Sequence, residues 1–124
     1  MEQLEFSILK GKTLKSVEVD REKEQITFID TEDNTYCLWH AQDCCESVFI
    51  EDIVGDVNNL IGTPIVMAEL VVDKTKELPP SDRIEDESYT WSFYKLATIK
   101  GYVTIRWFGT SNGYYSEEVD FTPF

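Results

Sequence analysis

A chain of 124 residues and 14.4 kDa is sized for one domain, 1–124, and can bury about two-thirds of its unfolded surface without a metal or disulfide to hold it. Its 24 acidic residues outnumber 11 basic ones, and the net charge of −13 repels nucleic acid and anionic lipid, which argues against either as a direct partner. Apolar residues make up 42% and aromatic ones 13%, which excludes a largely disordered chain and favours strands, on whose pleated surface large rings pack well.

The opening MEQLEFSILKGK has no basic segment followed by a long apolar core, and no run approaches the roughly 18 apolar residues of a membrane helix, so a soluble protein of the cytoplasm is expected. Apolar residues at 4, 6, 8 and 9 fit either a short strand or one helical turn, ended by Gly11. TLKSVEV (13–19), the charged turn DREKE (20–24), QITFIDT and, after Glu32-Asp33-Asn34, TYCLWHA read as a three-stranded antiparallel meander over 13–41. Gln42 and Asp43 interrupt the pattern, and VFIEDIV (48–54) resumes it as a short strand. VNNLIG closes on Gly62 and then Pro64, the punctuation of one short helix near 56–61.

PIVMAELVVD (64–73) is apolar on both parities, as a strand covered on both faces would be, while its Met, Ala, Glu and Leu leave a helix open. Residues 74–88, KTKELPPSDRIEDES, are charged and proline-containing, with little to bury, and read as a long exposed loop. YTWSFYKLATI, YVTIRWF and YYSEEVDF then follow as three strands joined by Lys100-Gly101 and by GTSNG, in which Asn112-Gly113 is a strong turn signal. The expected fold is mainly β: two antiparallel meanders forming a small β-sandwich or open barrel, with the run 39–65 as the crossover at one end of the sheets.

Chemistry-bearing residues concentrate in that run. Cys37, His40, Cys44 and Cys45 are four soft donors within nine residues, but vicinal cysteines point apart and Cys37 and His40 have opposite parity on one strand. No metal and no cofactor is therefore expected, and the thiols read as packing. An odd cysteine count with a vicinal pair also suits a reducing compartment. His40 and Cys44 are spaced for a nucleophile and base, yet no oxyanion hole is visible in the sequence, so no catalytic residue is assigned and an enzyme is not expected. Asp43, Glu46, Glu51, Asp52 and Asp56 lack the glycine-centred alternation of a calcium loop and read as solvated groups or turn caps.

A second candidate lies on the strand 102–108, where Tyr102, Thr104, Arg106 and Phe108 share one face and Val103, Ile105 and Trp107 the other. Arginine among rings can stack on a planar ligand or clamp an anion. Trp39, Asp43, Arg106, Asn112, Tyr114 and Tyr115 would then line a pocket for a nucleotide-like small molecule between the central run and the C-terminal hairpin. The plainer alternative pairs Arg106 with Glu117 or Glu118 across the hairpin.

QDCCESVFIEDIVGD (42–56), LIGTPI (60–65), the stretch from TWSFYK to SNGYYSEEVD (90–120) and the opening ILKGKTL (8–14) together resemble a family of small phage and prophage proteins classed as a domain of unknown function. The resemblance covers most of the chain and carries no activity with it. It implies an accessory protein working in the cytoplasm of a bacterial host, where counter-defence by binding is the common mode. Combined with the charge, the expectation is a non-enzymatic inhibitor that blocks a host protein with a basic face through Glu51, Asp52, Asp56 and the acidic loop residues Glu85, Asp86 and Glu87. Sequestration of a small nucleotide-derived immune signal is the alternative, and a cysteine-dependent enzyme the third reading. A homo-oligomer is left open.

Overall fold

The alternation in QITFID has a direct structural counterpart. On β2 (Gln25–Asp30) the side chains of Ile26, Phe28 and Asp30 are buried, while Gln25, Thr27 and Ile29 are half-covered on the other face. β1 (Leu14–Val19) and β3 (Thr35–Trp39) flank it in antiparallel register, with Val17 opposite Phe28 and Phe28 opposite Tyr36, which is the meander expected over 13–41. The computed structural model describes residues 3–41, 46–73, 88–111 and 117–124. Within it, β4 (Ser47–Val54), β5 (Met67–Asp73), β6 (Ser88–Thr98) and β7 (Gly101–Ser111) form a second antiparallel sheet of order β4-β7-β6-β5. The first sheet is completed by β8 (Asp120–Pro123) beside β3, giving the order β1-β2-β3-β8. Two four-stranded sheets face to face make a β-sandwich, with no closed barrel.

The core lies between the inner faces. Phe28, Leu38 and Phe121 from the first sheet meet Ile50, Tyr94, Leu96, Val103, Ile105 and Trp107 from the second. A single 3-10 turn, Phe6–Leu9, inserts Phe6 between the sheets, 4.8 Å from the Tyr94 ring and 5.3 Å from Phe121, both edge to face. Each such large apolar side chain contributes about 1.5–3 kcal/mol by leaving water. The segment that could have been strand or turn is therefore a turn, and its job is to carry one ring into the gap.

The one short helix expected near 56–61 is present as a 3-10 turn, Val57–Leu60, capped by Asp56, whose carboxylate accepts from the Asn58 amide at 2.9 Å. Two expectations are corrected. The strand at the end of PIVMAELVVD is real, but β5 is an edge strand, with Leu70, Val71 and Val72 exposed rather than covered on both faces. Finally, the last C-terminal strand does not extend the second meander. Only Asp120–Pro123 is strand, and it crosses to the first sheet, where Phe121 finds the rings of Phe6, Phe28 and Tyr36. The expected loop at 74–88 falls almost wholly outside the described residues.

The described strand β4 ends for a local reason. Gly55 has φ +100°, a left-handed conformation that L side chains rarely adopt, and a Cβ there would run into the Tyr102 carbonyl oxygen. Beyond it, isolated bridges from Leu14 to Ile61 and from Thr13 to Pro64 tie the crossover to the start of β1.

Candidate functional site

The register places the central run beside the C-terminal hairpin, as expected: Ser47 lies opposite Thr110 and Val48 opposite Gly109. Yet the residues proposed to share a pocket are divided between two faces. Trp39 is on the outer face of the first sheet, its indole Nε1 donating to Thr122 Oγ1 at 2.9 Å. Arg106 is on the outer face of the second, because Ile105 and Trp107 take the inner positions on either side of it. Outer faces of a sandwich point away from each other, so these two side chains cannot line one cavity. Asp43, Asn112, Tyr114 and Tyr115 lie outside the described residues, as do Cys44, Cys45, Glu85, Asp86 and Glu87.

Arg106 stands beside a ring, as its strand pattern suggests, and the structure adds two acidic partners from β4. Its guanidinium nitrogens are 3.5 Å from the Glu51 carboxylate and 3.8 Å from that of Asp52, and its carbon sits 5.3 Å from the centre of the Trp91 ring. A β-bulge between Ile50 and Asp52 breaks the strict alternation of β4, so two consecutive carboxylates can reach one arginine. The cation is thus already neutralised by the chain's own acids, an arrangement that disfavours capture of an anionic ligand. Glu117, one of the partners suggested for it, is instead buried and accepts hydrogen bonds from Thr90 Oγ1 at 2.7 Å and Ser111 Oγ at 2.5 Å.

His40 leaves β3 and lies with Nδ1 2.6 Å from the Glu118 carbonyl oxygen. A carbonyl can only accept, so Nδ1 carries the proton and the imidazole is committed to holding the 117–119 segment. Cys37 is buried, and loss of solvation raises its pKa, with the charge of Asp20 adding to the rise, so the thiol stays protonated and is a poor nucleophile. It floors a recess of about 320 Å³ with Trp39, Thr122 and Phe124. Among the described residues no group of three His, Cys, Asp or Glu side chains is placed to hold a metal ion.

The exposed carboxylates are brought together by a contact that the sequence does not announce. The β1–β2 hairpin folds its tip onto the edge of β4, where the Ile50 amide donates to the Lys23 carbonyl at 2.7 Å. Asp20 holds that tip by accepting from the amides of Glu24 at 2.7 Å and Gln25 at 3.0 Å, and Lys23 takes a positive φ of 58°. Glu22 and Glu24 therefore flank the strand that bears Glu51 and Asp52, all four exposed. Asp56 is also exposed but is spent on capping the 3-10 turn. The residues that sequence reasoning misses are thus Glu22 and Glu24, which in DREKE are only the charges of a turn. Nothing local to DREKE reveals where a hairpin tip will land.

The described fold and site define a β-sandwich with an acidic edge shared by its two sheets. The chain belongs to the family Domain of unknown function (DUF7448), whose model matches residues 7–121. No curated protein and no solved structure matches it. No helix among the described residues is long and apolar enough to cross a membrane.

Proposed function

We propose that this protein is a non-enzymatic accessory protein of phage origin that works in the bacterial cytoplasm and blocks a host protein, a component of host defence, by occupying a basic face of it. The observation that carries the reading is the net charge of −13 together with the edge at β4, where exposed carboxylates from both sheets converge on one side of the molecule. Such a field accelerates encounter with a cationic surface and makes the association fall steeply with salt. The phage setting and the target class come from the resemblance of the chain to small phage proteins. The neutralised Arg106 is the reason a nucleotide-sequestering role ranks behind this one.

The test is capture from host lysate on immobilised protein at low and at high ionic strength, with a variant carrying Glu22→Lys, Glu24→Lys, Glu51→Gln and Asp52→Asn beside the unaltered chain. Capture of a basic protein that is lost in high salt and lost in the variant is the expected result. Capture insensitive to both changes, or none at low salt, sinks the proposal.

A further inference from the structure

We propose that β5 is a second binding site, which takes an extended peptide segment of a partner as an added strand, with apolar side chains on one face of that segment and basic ones on the other. This builds on the reading that the protein acts by binding a partner, and names the chemistry of one part of that partner.

β5 runs for seven residues in unbroken register with β6, from Met67 opposite Ala97 to Asp73 opposite Trp91. On its other side no described strand pairs with it, so its outward amides and carbonyls are a template for a further strand. Edge strands are ordinarily protected by charge, proline or a bulge. Here three consecutive apolar residues are presented instead, with exposures of 46% at Leu70, 42% at Val71 and 49% at Val72. Leu70 and Val72 point to the inner side, because their partners Tyr94 and Ser92 are inner-face residues of β6.

Along that inner side the sandwich stands open among the described residues. A cleft of about 550 Å³ lies between β5 and residues 3–7, with Phe6, Ala68, Leu70, Tyr94 and Phe121 in its wall. A neighbouring one of about 260 Å³ is lined by Leu70, Val72, Thr90, Ser92 and Tyr94. A strand laid beside β5 would send every second side chain into this space, where apolar groups lose water. The alternate side chains would stand on the outer face beside Glu69 and Val71, which are opposite Lys95 and Phe93.

Charge selects the occupant. On the outer face, where the basic side chains would stand, β5 itself presents Glu69, opposite Lys95, and Asp73, and the other charged residues lining the clefts among those described, Glu5 and Glu118, are carboxylates too. A second copy of the chain would bring another −13 to this edge and set β5 carboxylates against each other, so self-pairing is disfavoured. A segment with lysine or arginine at alternate positions is attracted.

The probe is a dye-labelled synthetic peptide that alternates lysine and valine over the seven-residue length of β5, compared with one in which the central valine is proline. Binding is read by fluorescence anisotropy in moderate salt, and its place by amide hydrogen exchange. The expected result is saturable binding, slowed exchange at residues 67–72, and affinity lower by about tenfold or more for the proline peptide, which lacks the N–H and the extended geometry. Leu70→Lys and Val72→Lys, both at exposed positions and checked for native circular dichroism, should each weaken binding by about tenfold.

Equal binding of both peptides, or protection elsewhere on the surface, means simple charge adhesion and overturns the proposal. Protection of 67–72 that rises with protein concentration in the absence of peptide overturns it too, in favour of a second copy. Loss of peptide binding with salt-sensitive lysate capture intact removes this site alone. Peptide binding without capture removes the acidic-edge reading alone.

Discussion

The second sheet ends in two edges that are treated in opposite ways. β4 is broken by a bulge, carries carboxylates, stops at a left-handed glycine and receives the tip of the β1–β2 hairpin through the bond from Ile50 to Lys23. β5 is a ladder in unbroken register with exposed apolar side chains at Leu70, Val71 and Val72. The first edge shows the usual devices that prevent strand addition, and the second shows none of them over Leu70–Val72. One sheet therefore supplies its own control: what is unusual at β5 is not forced by the sandwich, because the same sandwich closes β4.

The sharpest way to break that comparison is a matched pair of truncations. Ile50 on β4 is 1% exposed and inside the core, so Ile50→Ala should cost about 3–4 kcal/mol from lost burial and the cavity left behind. Leu70→Ala on β5 should cost no more than about 0.5 kcal/mol, the range of surface changes. Urea unfolding measures both. Similar losses would mean that β5 is covered in solution and that the contrast of the two edges fails.

The contrast also shows where sequence ceased to inform. Alternation decides which face of a strand is buried, and QITFID and YVTIRWF were legible because each has one wet and one dry face; the predicted split of Val103, Ile105 and Trp107 from Tyr102, Thr104 and Arg106 is the one observed. Alternation says nothing about which strand lies alongside. LVV on β5 looks the same whether a strand is enclosed or stands at an open edge, and its apolar character alone points to enclosure. YYSEEVDF held the same ambiguity at longer range: Phe121 is drawn to the first sheet by Phe6, Phe28 and Tyr36, residues more than eighty positions earlier.

The site was less legible than the fold for a related reason. The alternation in YVTIRWF places Arg106 on the outer face, where the Trp91 ring lies beside it, but its acidic partners come from a bulge in β4. Bulges shift parity by one residue and leave no dependable mark in composition. Trp39 and Arg106 were grouped because their segments are adjacent, whereas face, not adjacency, decides which side chains meet.

A middle-sized effect is expected from loosening the first sheet, which closes only the β4 edge. Asp30, at the end of β2, is buried; burial alone would raise its pKa. Hydrogen bonds from the amides of Glu32 and Asn34, each 2.9 Å, with the Asn34 side chain and the Tyr36 hydroxyl, outweigh that and hold it below the usual value. A folded pKa below the unfolded one means that the carboxylate stabilises the protein at pH values above the unfolded pKa, and that this contribution disappears as pH falls through the folded one. Asp30→Asn should thus be less stable by about 1 kcal/mol at neutral pH. Its stability and that of the unaltered chain should converge in acid, below the ordinary aspartate range. A constant gap across the acid limb would show that the turn depends on shape and not on charge.

The smallest effect concerns the charges of the closed edge itself. Arg106 is 29% exposed while Glu51 and Asp52 are 40% and 54% exposed, at 3.5 and 3.8 Å, so water screens both pairs. Glu51→Gln should change stability by less than about 0.5 kcal/mol. Added salt then distinguishes local attraction from the field of the whole molecule. Screening weakens the Arg106 pairs, but it also relieves the self-repulsion of a chain at −13, which every carboxylate shares. The second term is the larger because it sums over the surface, so the thermal midpoint should rise slightly as sodium chloride is added at neutral pH. A midpoint that falls with salt would place the stabilising electrostatics in the pairs at the β4 edge. The carboxylates there would then be committed to holding the fold, and their availability to a basic partner would have to be given up.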